Sequence, residues 1–312
     1  MGYQAIADKL AADRVVVLDG GIGTEVLQRT DRWVRNGIES APDVIRQIHR
    51  EYLDAGADVV TANTFQISRH TFLNFFHDLE HMRAIGAPGL ENRAAELHAM
   101  AVGYARDAVR EAEVEDRVAI AGSIAPLNHA FRSDLAPDPK QAREEHAETA
   151  RSLADAGVDL ILLETMNTLG EARAALEAAR ATGLPVWVSL VPDAEGRTLG
   201  GEPLADAASL LDDGAAAVLV NGAPPEIVDR AAAVLAGTGK GPTGAYALIG
   251  RYAPPSWKMD FYPRFLHCDQ TTPEDYRAHA RTWIDAGARI VGGCWGTTPD
   301  HVRAVAASLD GN

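Results

Sequence analysis

Four times in this chain a helical pattern ends in an acidic residue and a glycine, and a short apolar run follows. The four are Leu53-Asp54-Ala55-Gly56-Ala57-Asp58-Val59-Val60, Leu153-Ala154-Asp155-Ala156-Gly157-Val158-Asp159-Leu160, Leu211-Asp212-Asp213-Gly214 before Ala215–Val220, and Ile284-Asp285-Ala286-Gly287 before Ala288–Val291. A glycine just past a helix takes the left-handed conformation that closes the last turn. Runs that are apolar on both faces and bounded by polar residues read as parallel strands covered on both sides.

Counting all such runs gives eight: Arg14–Leu18, Asp58–Ala62, Arg117–Gly122, Asp159–Leu163, Pro185–Val191, Ala216–Val220, Tyr246–Gly250 and Arg289–Gly293. Helical segments separate them, over 43–55, 91–113, 138–156, 168–182, 203–213, 224–236 and 273–286, with a last one at 299–308. Eight strands alternating with helices predict an α/β (β/α)8 TIM barrel spanning 1–312 as a single domain. A doubly wound open sheet is the alternative. Gly20-Gly21-Ile22-Gly23-Thr24 comes near a dinucleotide-binding turn but lacks its third glycine.

Composition narrows the partners. The 312 residues carry a net charge of −15 and no basic cluster, so neither nucleic acid nor an anionic membrane surface is expected. A small-molecule substrate is, and a homo-oligomer is left open. Only two cysteines are present, Cys268 and Cys294, so no disulfide framework is implied. The first residues, MGYQAIADKLAADR, lack the apolar stretch of a signal peptide, and no run reaches the ~18 apolar residues of a membrane span. A cytoplasmic location is expected.

A barrel of this type carries its active site at the C-terminal ends of its strands. The residues there are Asp19-Gly20-Gly21, Asn63-Thr64-Phe65, Ser123, Glu164-Thr165, Pro192-Asp193, Asn221-Gly222, Arg251-Tyr252 and Cys294. Asp19 and Glu164 leave buried strands directly. A carboxylate there is costly unless it binds a cation or joins a hydrogen-bond network. Val291-Gly292-Gly293-Cys294-Trp295-Gly296-Thr297-Thr298-Pro299 turns sharply from strand to helix, with Thr298 as N-cap and Pro299 at the first helical position. Cys294 there is either a buried thiol or one facing a ligand. Two long connections, 64–90 and 251–272, are rich in aromatics and suit lids or subunit contacts. In the first, His70, His77 and His81 share a helical spacing that would also suit a metal, although a solvated or dimer-facing helix is the preferred reading.

Five of these stretches in this order resemble the homocysteine S-methyltransferase family: Leu18-Asp19-Gly20-Gly21-Ile22-Gly23-Thr24-Glu25, Thr61-Ala62-Asn63-Thr64-Phe65, Ala121-Gly122-Ser123-Ile124-Ala125-Pro126, Leu162-Leu163-Glu164-Thr165 and Gly292-Gly293-Cys294-Trp295-Gly296-Thr297-Thr298-Pro299. The resemblance covers nearly the whole chain and implies a (β/α)8 barrel. It implies thiolate alkylation, in which zinc held by three cysteines keeps the homocysteine sulfur deprotonated near pH 7. It also implies that Asp19 and Glu164 hold an amino group and that amides of Gly20 and Gly21 hold a carboxylate. Asp19, Glu164 and Cys294 then form the expected catalytic group. Thr64, Ser123, Asn221 and Trp295 join Asp19, Gly20, Gly21 and Glu164 in the substrate-binding set.

The sequence departs from that family where the metal sits. Gly222 stands in place of one ligand cysteine and Trp295 in place of another, leaving Cys294. One thiolate does not hold zinc tightly, and the spacing of Cys268, His267 and the 64–90 histidines gives no reason to expect a substitute. The reading is a zinc-independent methyltransferase that moves a methyl group from a sulfonium- or ammonium-type donor. Its acceptor is a thiol or related group with an amino-acid-like end. A hydrolase or lyase on the same barrel, or a non-catalytic binder, is the alternative.

Overall fold

The computed structural model describes residues 2–30, 35–75, 80, 87, 89–249, 251–253, 264–266 and 271–309. Its strands are β1 (Val16–Val17), β2 (Val59–Ala62), β3 (Ala119–Ile124), β4 (Leu160–Met166), β5 (Val186–Leu190), β6 (Ala217–Asn221), β7 (Thr243–Tyr246), β8 (Arg251–Ala253), β9 (Arg264–Leu266) and β10 (Ile290–Val291). Eight of them form one parallel sheet in the order β1-β10-β7-β6-β5-β4-β3-β2. Its two ends meet. Leu18 bridges Val59 in parallel, Asp19 N donates to Val59 O at 3.0 Å, and Asp58 N donates to Val17 O at 2.8 Å. The sheet is therefore a (β/α)8 barrel, with helices in the connections.

The repeated phrase has a second use beyond its glycine. Asp58 and Asp159, each two residues past a helix-ending glycine, accept the amide of the preceding strand: Val17 N at 2.8 Å and Ile120 N at 2.8 Å. Each aspartate thus ties the bottom of its own strand to its neighbour and fixes their register.

Side chains alternate in and out with the two-residue period of a strand. Val16, Leu18, Val59, Ala119, Ala121, Leu160, Leu162, Trp187, Ala217, Leu219 and Ile290 form the inner core. Their neighbours Val17, Val60, Ile120, Ile161, Leu163, Val186, Val188, Val218, Val220 and Val291 pack outward against the helices. The helix Gly2–Ala11, not foreseen from sequence, closes the bottom of the barrel. Its Ile6 joins the inner core, and Tyr3 lies edge-on to Trp187, whose indole N–H donates to the Tyr3 hydroxyl at 3.3 Å.

Two boundaries differ from expectation. β4 continues through Glu164 to Met166, with a register break between Leu163 and Met166 where Thr165 takes φ +64°. The seventh barrel strand lies at Thr243–Tyr246, ahead of the predicted Tyr246–Gly250. The glycines and Pro242 around it read as a loop. Gly244 is instead a close-packed strand residue: a Cβ there would stand 2.6 Å from Ile290 O and 2.8 Å from Leu219 Cδ2. Gly244→Ala should lower unfolding free energy by about 1–3 kcal/mol, the usual cost of overpacking a core. A denaturant midpoint equal to the parent's would contradict this placement. The expected 251–272 insertion carries the β8–β9 antiparallel pair, and the 64–90 insertion carries a helix at Arg69–Phe75.

Candidate active site

Continuing the inward alternation by one step past the apolar layers places Thr61, Ser123, Glu164, Ser189, Asn221, Tyr246 and Cys294 in a third layer at the C-terminal mouth. With Asp19 beside Thr61, each of the eight barrel strands contributes one polar group. Their hydrogen bonds fall into separate groups. Thr61 donates to Asp19 through its backbone N at 2.7 Å and its hydroxyl at 2.9 Å. The Ser123 hydroxyl donates to Glu164 Oε1, and the Tyr246 hydroxyl to Glu164 Oε2 at 3.2 Å. Ser189 donates to Asn221 Oδ1 at 2.7 Å.

Among the described residues, the donors to the two carboxyls are neutral. Among the described residues, no Lys, Arg or His side chain bonds to Asp19, Glu164 or Cys294. Burial pushes the Asp19 carboxyl well above the usual carboxylate range, and the charge of Glu164 adds to that while the Thr61 bonds oppose it. Burial likewise raises Glu164, against the bonds from Ser123 and Tyr246. Tyr246 is held protonated, first by burial and then by Glu164. Among the described residues, these two buried acids interact on one rim with no cationic partner.

Asn221 cannot turn its amide over. Oδ1 accepts from Thr165 N at 3.1 Å and from Ser189, so Nδ2 faces Thr165 Oγ1 at 2.9 Å and Cys294 Sγ at 3.7 Å. The left-handed Thr165 supplies both of its contacts to this arrangement. Cys294 as a residue is half-buried, yet its sulfur lies deep enough that burial, followed by the charge of Glu164, pushes the thiol up to about 12. It is neutral at pH 7 and is a poor nucleophile there. The turn that carries it is held by Thr297 Oγ1 donating to Cys294 O at 2.5 Å and by Cys294 N donating to Ala247 O at 3.1 Å. Thr298 and Pro299 open the last helix as expected.

Trp295 stands over this layer between two phenylalanines. Phe65 lies 6.1 Å away at 75° and Phe131 6.5 Å away at 66°, both edge-on.

The model of the family described as "Homocysteine S-methyltransferase" matches residues 16–309. The chain belongs to the homocysteine S-methyltransferase family. It is 28% identical over 316 residues to homocysteine S-methyltransferase YbgG of Bacillus subtilis, covering 94% of each chain. It is 26% identical over 324 residues to selenocysteine methyltransferase of Astragalus bisulcatus, covering 94% of this chain and 92% of that one. The fold matches the homocysteine methyltransferase MmuM of Escherichia coli in its metallated form with a TM-score of 0.77, at 23% identity, over 99% of this chain and 100% of that one. Relatives of both kinds are methyltransferases, and this chain is an enzyme of that class.

The family's zinc does not fit the described residues. No group of three or more His, Cys, Asp or Glu side chains among them could hold a metal ion. A side chain at Gly222 would also be strained: φ is +72°, and its Cβ would lie 3.1 Å from Val191 Cγ2, 3.2 Å from Thr165 Cγ2 and 3.6 Å from the Phe131 ring. His70 is held by Glu145 and, at 2.8 Å, by Asn128 Oδ1. His77, His81, His267 and Cys268 lie outside the described residues, as do the side chains of 251–270.

Other members of the substrate set have partners within the protein. Thr64 Oγ1 donates to Ser123 O at 2.9 Å and accepts from Ser123 N at 3.1 Å, tying β2 to β3. Gly21 N donates toward Thr297 at 3.2 Å, and Gly20 O accepts from Ile22 N at 2.9 Å. Asp193 turns its carboxylate to its own loop, at Glu195 N and Arg197 N. Tyr246, Ser189, Thr61 and Phe131 were not singled out from sequence. Strand parity finds Thr61 and Ser189, and finds Tyr246 once β7 is placed correctly. Phe131 leaves no such signal.

Proposed function

We propose that this chain is a methyltransferase working without a zinc-held thiolate. It moves a methyl group from a sulfonium- or ammonium-type donor to an acceptor with an amino-acid-like end. The observation that carries the reading is the pair of buried carboxyls, Asp19 and Glu164, met among the described residues by neutral donors, in a chain of this family. A positively charged ligand supplies the missing charge, and its ammonium is the natural partner of the pair. The rings of Trp295, Phe65 and Phe131 add faces and edges at the same mouth, and a methylated cation beside an aromatic face gains further attraction.

The chain's own residues then have distinct tasks. Asp19 and Glu164 bind and orient the cationic end. Ser123, Tyr246 and Thr61 keep the two carboxyls in place. Asn221 directs an N–H toward the position of Cys294 Sγ, and Trp295 closes the side on which a third metal ligand would stand.

Protein purified without chelator should contain well under one zinc per chain by elemental analysis. Near-stoichiometric zinc that disappears on Cys294→Ser would contradict the zinc-free part of the reading. A thermal-shift screen of thiols, sulfonium compounds and betaines tests the rest. Stabilisation by at least one cationic compound is expected, and a protein indifferent to all of them would sink the proposal.

A further inference from the structure

The loop after β3 joins the two ends of the mouth. It starts from Ser123, whose hydroxyl donates to Glu164, and reaches Phe131, whose ring lies edge-on to Trp295. We propose that Glu171 and Asn167 are positioning residues that fix the span between these ends, so that the site selects a ligand by the length of chain between its ammonium and its methylated centre. This rests on the methyl-transfer reading above.

A surface loop shifts unless something holds it. Alternate residues of this one are held in turn. Leu127 N donates to Glu171 Oε1 at 2.8 Å, and His146 Nε2 lies 3.2 Å from the same oxygen. Glu171 stands in the first turn of the helix Leu169–Arg180 and His146 on the helix Pro139–Ala156, and each side chain is 1% exposed. One buried carboxylate oxygen therefore ties both helices to the loop. Two residues on, His129 O accepts from Asn167 Nδ2 at 2.7 Å. Asn167 directly follows β4, and its own carbonyl accepts from Gly200 N at 2.9 Å, in the loop after β5. Phe131 N then donates to His129 Nδ1 at 3.1 Å, which carries the hold to the ring-bearing residue. That ring lies beside Gly222, where a Cβ would stand 3.6 Å from it. Asn128, between the held residues, bonds instead to His70 at 2.8 Å.

Packing alone does not fix the first half of the loop. A small cavity lies against it, and Thr64, Ser123, Pro126, Leu127, His146 and Thr149 are among its lining residues. Beside that space the Glu171 bond holds Leu127, and removing the carboxyl would take a buried partner from both Leu127 N and His146. Glu164 belongs to β4 and stays with the barrel, so the gap between carboxyl and ring changes when the loop moves. A firm apolar wall discriminates one methylene by about ten- to two-hundredfold. A wall whose supports are removed gives that discrimination up.

The test titrates the full chain by calorimetry with two probes, S-methylmethionine and its homologue with one more methylene in the chain. The parent's two affinities should differ by at least about tenfold. In Asn167→Ala and in Glu171→Ala the ratio should fall to about threefold or less, and Phe131→Leu should reproduce the fall. Glu171→Gln keeps an oxygen where Oε1 accepts both of its bonds and should restore the parent's ratio. A residue that only supports the fold would lower the melting temperature and leave the ratio alone. A ratio unchanged in Asn167→Ala, which carries the test if Glu171→Ala does not fold, overturns the inference. Equal binding of both probes by the parent overturns it as well and leaves the methyl-transfer reading standing. A parent that binds neither probe, nor any other cation of the thermal-shift screen, overturns both.

Discussion

Glu164→Gln should weaken binding of a cationic ligand by about 1.5–3 kcal/mol, or roughly ten- to over a hundredfold, the usual worth of a hydrogen bond to a charged group. The amide keeps the shape of the carboxyl: its oxygen can accept from one of Ser123 and Tyr246, the partners that hold the carboxyl in the parent, while its NH2 donates to the hydroxyl oxygen of the other. What it removes is the charge. The parent should also bind the cation more tightly as pH rises, because Glu164 and Asp19, both held above the usual carboxylate range, ionise more fully. A calorimetric titration at two pH values reads both effects, with proton release on binding at the lower one. Equal affinity in parent and variant, with both folded, would remove Glu164 from the binding site.

Acid stability should hinge on histidines far from the mouth. His49 lies on the helix Pro42–Asp54, fully buried, and neither ring nitrogen has a hydrogen-bond partner among the described residues. Burial depresses it from 6.5 to about 4. His98 is depressed to about 4 as well, by burial, although its Nε2 pairs with Ile67 O at 2.7 Å. A histidine whose folded value is lowered supports the fold while neutral. That contribution is complete above the unfolded value of 6.5 and is lost as pH falls through the folded value. At about 1.4 kcal/mol per unit, each residue accounts for about 3 kcal/mol, as an order of magnitude. The raised carboxyls of Asp19 and Glu164 act in the opposite direction, costing stability as pH rises through their folded values. His49→Leu removes two unpaired buried nitrogens together with the titration. It should move acid unfolding to lower pH and raise stability at pH 7, where the lost desolvation penalty alone is about 1–3 kcal/mol. An acid midpoint equal to the parent's would show that His49 is not the group that charges.

The barrel was legible because parallel strands buried on both sides must be apolar throughout and each preceding helix must end. Both marks recur in the chain around Gly56, Gly157, Gly214 and Gly287. β7 was misplaced because Gly244 serves packing and leaves no apolar mark. The helix at Gly2–Ala11 was missed because its fit depends on the barrel bottom beneath it, where a Cβ on Gly2 would stand 2.4 Å from Val118 O. In the site, Asp19, Glu164, Asn221 and Cys294 could be named in advance, being polar groups at strand ends. Tyr246 and Phe131 could not, since one depended on a strand boundary and the other on the path of a loop. The direction in which each carboxyl's proton equilibrium moves also needed the structure, because it depends on which donors reach it.

The mouth layer, with one polar group from each barrel strand above two apolar layers, has a consequence for descent. A replacement at any one of these positions alters the chemistry offered to a ligand while the layers that decide folding are untouched. Positions 222 and 294–295 follow β6 and β10, the two strands that flank β7 in the sheet. A lineage could thus exchange its metal ligands one at a time, each intermediate still a folded barrel with its acids at Asp19 and Glu164 in place. Such an architecture lets catalytic identity drift faster than the scaffold beneath it.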